Sequence, residues 1–322
     1  MRGRRYLVLA LVTLLAILGV AQIASHQLYD GPGQAGADQI LVIPPGRTER
    51  VAQTLQQAGI VDSSLMFQAA AWWTRHAGPL RAGEYLFPAH ASLHQVLDIL
   101  RSGAEVQHHA TVAEGLTSQQ IALIINQLPK ATGHVAPPPE GSVLPQTYDY
   151  EYDTKRSAIL ARMQAAMRTE LDQLWLARAP NLPLKTPEQA IILASIVQQE
   201  TPLTSDMPMV ASVYENRLRL GMKLQADPTV IYAASGGAQS AGLSISRADL
   251  AFDSPYNTYA HEGLPPGAIC APGLAALNAV LHPADSNALY FVAMEDGTHR
   301  SVFSHTLQQH TENIKKFLNR GH

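Results

Sequence analysis

The sequence predicts an α+β protein with a single N-terminal transmembrane helix, small βα subdomains, and a mixed α/β domain that ends in a hairpin and a helix. Three observations support this. The chain of 322 residues exceeds what one hydrophobic core normally uses. An apolar run lies near the N-terminus, and beyond it short apolar strands alternate with capped, amphipathic helices. A hydrophobic content of 46% also excludes a wholly disordered chain.

Composition excludes several kinds of site. The formal net charge of −3 lacks the basic footprint of a nucleic-acid binder, so we expect no nucleic-acid partner. A single cysteine, Cys270, cannot form an intramolecular disulfide, a redox pair or a thiolate zinc site. The 13 histidines show no HExxH-type spacing. We therefore expect neither a metal nor a cofactor.

The first thirty residues predict the compartment. Arg2, Arg4 and Arg5 precede an apolar run at residues 6–24, which as a helix spans roughly 28 Å, about one bilayer core. A cleaved signal peptide is the alternative, because residues 20–25 contain weak small-x-small patterns. The arginines favour a retained anchor with a cytoplasmic N-terminus and the rest of the chain outside the inner membrane.

A Gly- and Ala-rich stretch then predicts a short linker, and two similar patterns follow it. The first has a strand at 39–43, helices from Thr48 and at 64–76, a strand at 85–87, and a helix at 93–100. The second has a strand at 106–112, a turn at Gly115, and a helix that begins with the capping-box spacing of Thr117 and Gln120. Two small βα modules are expected, and both glycan binding and ordinary α/β packing remain open for them.

The proline run at 137–139 marks the clearest break in the chain. Beyond it we expect a mixed α/β domain. Its predicted elements are a helix at 156–176, a buried helix from Pro187, helices from Met207 and near 227–232, a capping-box start at Ser246, a helix at 272–281, a hairpin formed by 289–293 and 299–303 with its turn at 295–298, and a closing helix at 306–318.

The helix that starts at Pro187 carries the most informative side chain. It is apolar nearly all round at residues 190–197, which is typical of a buried helix. Pro202 disfavours helical geometry at Thr201, so Glu200 falls on the last turn. A helix C-terminus and an apolar wall both disfavour an ionised carboxylate, so the Glu200 pKa should rise. A carboxyl group that is protonated near neutral pH can serve as a general acid. The alternative is a solvated or salt-bridged residue with no chemical role.

Several motifs, in order, resemble one family. They are ASIVQQET at 194–201, VYENRL at 213–218, LQADPTVIY at 224–232, YNTY at 256–259 and GLPPGAI at 263–269. Together they resemble the membrane-anchored endolytic murein transglycosylases, also called MltG/YceG-like proteins. The resemblance is close over residues 193–303, whereas the anchor and a LysM-like N-terminal half fit more loosely.

The resemblance implies a lyase that cuts β-1,4 bonds between N-acetylmuramic acid and N-acetylglucosamine in nascent glycan strands and leaves 1,6-anhydro ends. It implies that Glu200 is the catalytic acid. It also implies that a set of residues lines or supports the groove: Asn216, Arg217, Gln225, Asp227, Tyr232, Asn257 and Tyr259. Peptidoglycan strands are the implied partner, and peptidoglycan synthases are candidate protein partners.

The sequence patterns and the resemblance together divide the chain into five parts. We expect a cytoplasmic stub and transmembrane anchor at 1–28, a linker at 29–38, a LysM-like glycan-binding region at 39–135, a second linker at 136–155, and a transglycosylase catalytic domain at 156–322.

Two departures from the family pattern stand out. Gln198 and Gln199 replace residues that are often charged, which we expect to be a harmless change on a solvated face. Gln146 stands where Asp is usual, so a polar role at that position is in doubt.

Three alternatives to the lyase remain. A hydrolase would need a second carboxylate, for which Asp227 and Glu215 are candidates. A non-catalytic peptidoglycan-binding scaffold would leave Glu200 inert. A Cys270 nucleophile is disfavoured, because no histidine lies near it in the local sequence to activate it.

Overall fold

The computed structural model describes residues 2–294, 297–298 and 300–317, and for residues 2–10, 21 and 317 the backbone alone. The predicted mixed α/β architecture is confirmed. The chain forms two compact units, of which unit 1 comprises Met1–His108 with Tyr150–Asp153, and unit 2 comprises His109–Asp149 with Thr154–His322. Each unit has its own cluster of buried apolar side chains.

The predicted N-terminal apolar helix is present as α1, Arg2–Asp30. Within it, Leu11–Asp30 is long and apolar enough to cross a membrane, and none of its described side chains is buried. Its last turn packs against the rest of unit 1. The Tyr29 ring stacks on that of His94 at 4.9 Å, and an Asp30 carboxylate oxygen lies 3.1 Å from the same imidazole.

Unit 1 is built around an antiparallel strand pair. The strands are β1, Gln39–Ile43, and β2, Gly83–Phe87, and the helices are α2, Thr48–Gln57, α3, Ser64–Trp73, and α4, Leu93–Ser102. A capping box formed by Ser92 and Gln95 starts α4, and Gly103 in the left-handed region (φ 70°) ends it. Leu55, Phe67, Tyr85 and Leu97 are fully buried in its core.

Unit 2 is mostly helical. Its helices are α5, Ser118–Gln127, α6, Arg156–Ala177, α7, Pro187–Glu200, α8, Met207–Arg219, α9, Asp227–Ala234, α10, Arg247–Leu250, α11, Leu274–Leu281, and α12, Leu307–Phe317. Helices α7, α8 and α11 pack against one another around Leu193, Val210 and Leu277. The predicted capping boxes at Thr117–Gln120 and Ser246–Asp249 are both present.

The second predicted βα module differs from the first in its surroundings. Its strand, β3, His108–Thr111, pairs with β4, Thr147–Tyr150, and its helix α5 belongs to unit 2. Residues 109–135 therefore lie in unit 2, as do residues on both sides of the proline run at 137–139. The domain boundaries expected from the sequence stay predictions.

The predicted C-terminal hairpin is formed by β5, Tyr290–Ala293, and β6, Ser301–Ser304, which pair antiparallel with Phe291 opposite Phe303. Of its predicted turn at 295–298, residues 295 and 296 lie outside the described residues, as do His299 in the returning strand and Leu318 in the closing helix.

Candidate active site

Helix α7 places Glu200 as the sequence predicts. The Thr186 side chain accepts a hydrogen bond from the backbone N–H of Gln189 and caps the helix, and Pro187 occupies its first position. Leu193, Ile196 and Val197 are fully buried. The backbone turns extended at Thr201 (φ −144°, ψ 133°), the conformation expected before proline, so the helix ends on Glu200.

Glu200 is half-buried and opens onto a cavity of about 320 Å³ in unit 2. Aromatic, charged and apolar side chains share this cavity, which we call the Glu200 cavity. It is lined by Glu200, Tyr214, Arg217, Leu224, Gln225, Asp227, Tyr259, Tyr290, Phe291, Leu307 and His310.

The Glu200 carboxyl has a pKa close to neutral pH. Burial raises its pKa from the ordinary 4.5 to about 7, and the negative charge of Asp227 acts in the same direction. The Tyr214 hydroxyl opposes this by donating a 2.6 Å hydrogen bond to Glu200 Oε1, and the Arg217 charge also lowers the pKa. A carboxyl group with a pKa near 7 can both give and take a proton at neutral pH.

Tyr214 is a fixed donor to that carboxyl. It is almost fully buried, and its ring meets Phe291 edge-on at 6.0 Å. Burial and the neighbouring Glu200 charge raise the pKa of Tyr214 well above its ordinary value of 10, so the phenol keeps its proton. The sequence motifs include Tyr214 but do not single it out as a site residue.

Arg217 is a buried cation that the backbone holds in place. Its guanidinium donates to the carbonyl oxygens of Leu289 at 2.8 Å and Leu224 at 2.7 Å. Its Cζ atom lies 5.2 Å from the centre of the Tyr290 ring, within range of a cation–π interaction. These contacts fix a positive charge beside the Glu200 cavity.

A second acidic group lies in the same cavity. Asp227 Oδ1 accepts a 2.5 Å hydrogen bond from the Tyr259 hydroxyl, and burial raises the pKa of Tyr259 above its ordinary value. Ala226 is the N-cap residue of α9, so Asp227 is the first residue of that helix.

Gln225 has an unusual backbone. Its φ of 52° lies in the left-handed region, which non-glycine residues rarely adopt. The neighbouring loop holds this conformation, because the Gln225 N–H donates to Thr258 O at 3.1 Å and the Ala226 N–H donates to Thr258 Oγ1 at 2.9 Å. Such strain is typical of functional sites.

The structure brings only part of the predicted groove set into the Glu200 cavity. Arg217, Gln225, Asp227 and Tyr259 line it with Glu200, and the other three residues make contacts elsewhere. The Asn216 amide donates to the carbonyls of Ser286 and Ala288, the buried Asn257 amide donates to those of Leu250 and Phe252, and the Tyr232 hydroxyl donates to Glu140.

The C-terminal hairpin and helix supply cavity residues that local sequence reasoning missed. Tyr290, Phe291, Leu307 and His310 line it. The imidazole of His310 stacks on Tyr290 at 5.3 Å, and its buried Nδ1 has no hydrogen-bond partner among the described residues. Burial and the Arg217 charge lower the pKa of His310, which favours a neutral ring. The sequence predicts a closing helix here, but local periodicity does not show which of its residues reach the cavity.

The two glutamines before Glu200 are not on a solvated face, contrary to our expectation. Gln199 Nε2 donates at 2.6 Å to both Gly115 O and Ser240 Oγ. Gln198 Oε1 accepts from the Gly273 N–H at 2.9 Å. Both amides tie α7 to neighbouring loops, a role that local periodicity does not reveal.

The other candidate catalytic residues differ in whether they reach the Glu200 cavity. Glu215 is fully buried and bonded to Arg219, and it does not line the Glu200 cavity, whereas Asp227 does. Cys270 is also fully buried, and burial raises its pKa above the ordinary value, which disfavours a thiolate nucleophile. Across the part of the chain that the structure describes, no three His, Cys, Asp or Glu side chains are grouped to hold a metal.

Comparison with known proteins connects this site to a family. Residues 41–316 match the YceG-like family model. An endolytic murein transglycosylase of Bacillus subtilis is 29% identical over 86% of this chain and 84% of its own length. One from Streptococcus pneumoniae is 28% identical, and there the match spans only 58% of the relative.

A solved structure of a YceG-like protein is also similar to this chain. A YceG-like protein from Listeria monocytogenes superposes with a TM-score of 0.52 at 26% identity, covering 87% of this chain and all of that one. The family match covers most of the sequence and includes every residue of the Glu200 cavity. The chain therefore belongs to the YceG-like family.

Proposed function

We propose that this protein is an endolytic murein transglycosylase, a lyase that cuts glycan strands of peptidoglycan internally. The observation that carries the proposal is the Glu200 carboxyl, half-buried at a helix end with a pKa raised to about 7 in a cavity rich in aromatic and polar groups. The relatives named endolytic murein transglycosylase support the same reaction class.

In the proposed reaction Glu200 acts first as an acid. Its proton moves to the glycosidic oxygen while the bond between that oxygen and C1 of N-acetylmuramic acid breaks. The sugar passes through an oxocarbenium-like state, which the substrate's own acetamido group stabilises at C1. Tyr214 and Arg217 stabilise the carboxylate that this step leaves behind, since both favour the ionised form of Glu200.

Glu200 then acts as a base. The carboxylate removes the proton of the 6-hydroxyl as that oxygen closes onto C1, which gives a 1,6-anhydro end and regenerates the acid. No water is consumed, so one carboxyl group suffices where a hydrolase uses two. Each proton transfer by a positioned group contributes roughly two to four decades in rate.

The predicted groove residues divide into two proposed roles. Arg217, Gln225, Asp227 and Tyr259 line the Glu200 cavity and would contact the sugar. Asn216, Tyr232 and Asn257 would act as supports, since their side chains bond to backbone carbonyls or to Glu140. Cleavage of nascent strands at this site would limit strand length.

We propose the same organisation for the chain that the sequence suggested. Residues 1–28 would anchor it in the inner membrane with a cytoplasmic N-terminus, 39–135 would form a LysM-like glycan-binding region, and 156–322 would carry catalysis. The exposed apolar helix at Leu11–Asp30 supports the anchor. Peptidoglycan strands would be the partner, with peptidoglycan synthases alongside.

The test is the substitution Glu200→Gln, which keeps the shape of the side chain but removes the proton. We expect cleavage of purified murein strands to fall by at least about two decades. The matched control is Glu188→Gln, the same change at the exposed first turn of α7, which should leave activity intact. Full activity of Glu200→Gln would show that the acid lies elsewhere.

A two-carboxylate hydrolase is the second candidate, because Asp227 shares the cavity with Glu200. Mass spectrometry of the products separates the two reactions. Anhydro ends support the lyase, and reducing ends would contradict it.

A non-catalytic scaffold is favoured instead if two results are found together. The intact chain would bind glycan without cleaving it, and binding would survive deletion of everything after Pro183.

A further inference from the structure

Helix α3 carries an exposed face that is entirely apolar. Its inward side chains include Phe67 and Ala71, which are buried in the core of unit 1. The opposite face has helical spacing and consists of Leu65, Met66, Ala69, Trp72 and Trp73. Leu65, Trp72 and Trp73 are 75%, 63% and 74% exposed. A helix that is apolar on both faces is normally covered on both.

The end of the apolar helix α1 lies beside α3. Ser63 and Met66, at the start of α3, line a small cavity together with Gln27 and Leu28 of α1. At the other end of α3, the side chain of its C-cap residue Thr74 interacts with that of Tyr29. Helix α3 therefore flanks the last turn of the stretch that is long enough to cross a membrane.

The chemistry of this face fits a bilayer surface. Tryptophan is enriched at the membrane–water interface, where its ring lies against the acyl chains and its N–H reaches water. The Arg75 guanidinium lies 4.6 Å from the centre of a Trp72 ring, which places a cation at the edge of the apolar face. Such a cation is attracted to anionic lipid headgroups.

We propose that the exposed face of α3 lies on the bilayer that α1 spans, with Trp72 and Trp73 in its interface. This contact gives unit 1 a second attachment beside the anchor and fixes its orientation on the membrane. The proposal depends on α1 as a transmembrane helix and does not depend on the reaction proposed for Glu200.

Tryptophan fluorescence tests the proposal, because the chain has three tryptophans, Trp72, Trp73 and Trp175. The full-length Trp175→Phe variant is reconstituted into vesicles of phosphatidylethanolamine and phosphatidylglycerol, with and without brominated acyl chains. We expect brominated lipid to cause a roughly twofold or greater loss of emission, since interfacial indoles lie against the acyl chains.

The matched control keeps Trp175 alone by combining Trp72→Phe with Trp73→Phe. Helix α1 tethers this variant to the same vesicles, so its unquenched emission would show that tethering alone does not cause quenching. The proposal would be overturned if the protein floats with the vesicles but brominated lipid leaves the emission of Trp72 and Trp73 unchanged. It would also be overturned if the protein does not float with the vesicles. Emission that responds to soluble murein fragments but not to brominated lipid would assign the face to glycan instead.

Discussion

The carboxyl group of Glu200 is subject to opposing influences from its immediate neighbours. Burial and Asp227 disfavour its charge, whereas the Tyr214 hydroxyl and Arg217 favour it. Without the first pair the acid would be ionised at neutral pH and could not donate. Without the second, the carboxylate left after donation would lack stabilisation. A pKa of about 7 is the balance that a residue acting as both acid and base requires.

Tyr214→Phe tests this balance. Removing the hydroxyl takes away a hydrogen bond that lowers the pKa of Glu200, so that pKa should rise further. If the protonated form starts the reaction, the alkaline limb of kcat/KM against pH should move upward by about one pH unit, given the roughly 1.5–3 kcal/mol of a hydrogen bond to a charged group.

The control for this substitution is Tyr148→Phe. That buried hydroxyl donates to the Leu144 carbonyl, so its loss should leave the pH limb in place even if stability falls. A limb that moves to lower pH in Tyr214→Phe, or one that does not move, would contradict the proposed relation between Tyr214 and Glu200.

Helix α8 shows how a buried element can carry polar groups. The structure buries the polar Ser212, Glu215 and Arg217 together with the apolar side of the helix at Val210, Val213 and Tyr214. Neighbouring segments surround the helix. Ser212 bonds to a carbonyl at Ser286, and Glu215 bonds to Arg219 one turn further along.

Glu215 should make the stability of unit 2 depend on pH. Burial raises its pKa from the ordinary 4.5 to about 7, although Arg219 opposes the rise, and its Oε1 has no hydrogen-bond partner among the described residues. Between pH 4.5 and about 7 the folded chain retains a proton that the unfolded chain has lost. The free energy of unfolding should therefore fall as pH rises through this window.

Glu215→Gln should flatten that slope, leaving the contributions of Glu200 and Glu140, whose raised pKa values give the same sign. Denaturant unfolding at several pH values between 4.5 and 7.5 measures the slope, and the exposed Glu262→Gln serves as the control. Equal slopes in the wild type and in Glu215→Gln would show that Glu215 does not titrate in this window.

Local sequence patterns predicted the individual helices and strands better than they predicted which of these elements contact one another. Capping and proline rules place the end of α7 on Glu200, since they act within a few residues. They could not show that β3 pairs with β4 across more than thirty residues, or that Gln199 reaches Gly115. Such contacts depend on the tertiary arrangement, and the periodicity of a single sequence reports only local structure.

For the molecule as a whole, the site is assembled from distant parts of unit 2. The position of Glu200 was predictable because the capping and proline rules of its own helix fix where that helix ends. Tyr290 and His310 enter the same cavity only through the packing of the C-terminal hairpin and α12, about a hundred residues further along the chain. The family motifs include Arg217, Gln225, Asp227 and Tyr259, which line the cavity, yet they did not separate these from Asn216, Tyr232 and Asn257, which do not.

Two separate cores should allow the units to be destabilised independently. Leu97 is fully buried in the core of unit 1 and Leu277 in that of unit 2. Each Leu→Ala substitution should cost about 2–5 kcal/mol, and hydrogen exchange should increase mainly in the unit that carries it. Leu123→Ala, at a residue that is 61% exposed, is the control. Equal loss of protection in both units after either core substitution would contradict this division.

The most direct measurement is the titration of the Glu200 carboxyl in the folded protein. Carbon-13 NMR of glutamate-labelled chain, with the signal assigned by its absence in Glu200→Gln, follows this one group across pH. We expect a midpoint at about 7. A midpoint at the ordinary 4.5 would mean that the carboxyl is ionised at neutral pH, and Glu200 could not then act as the acid.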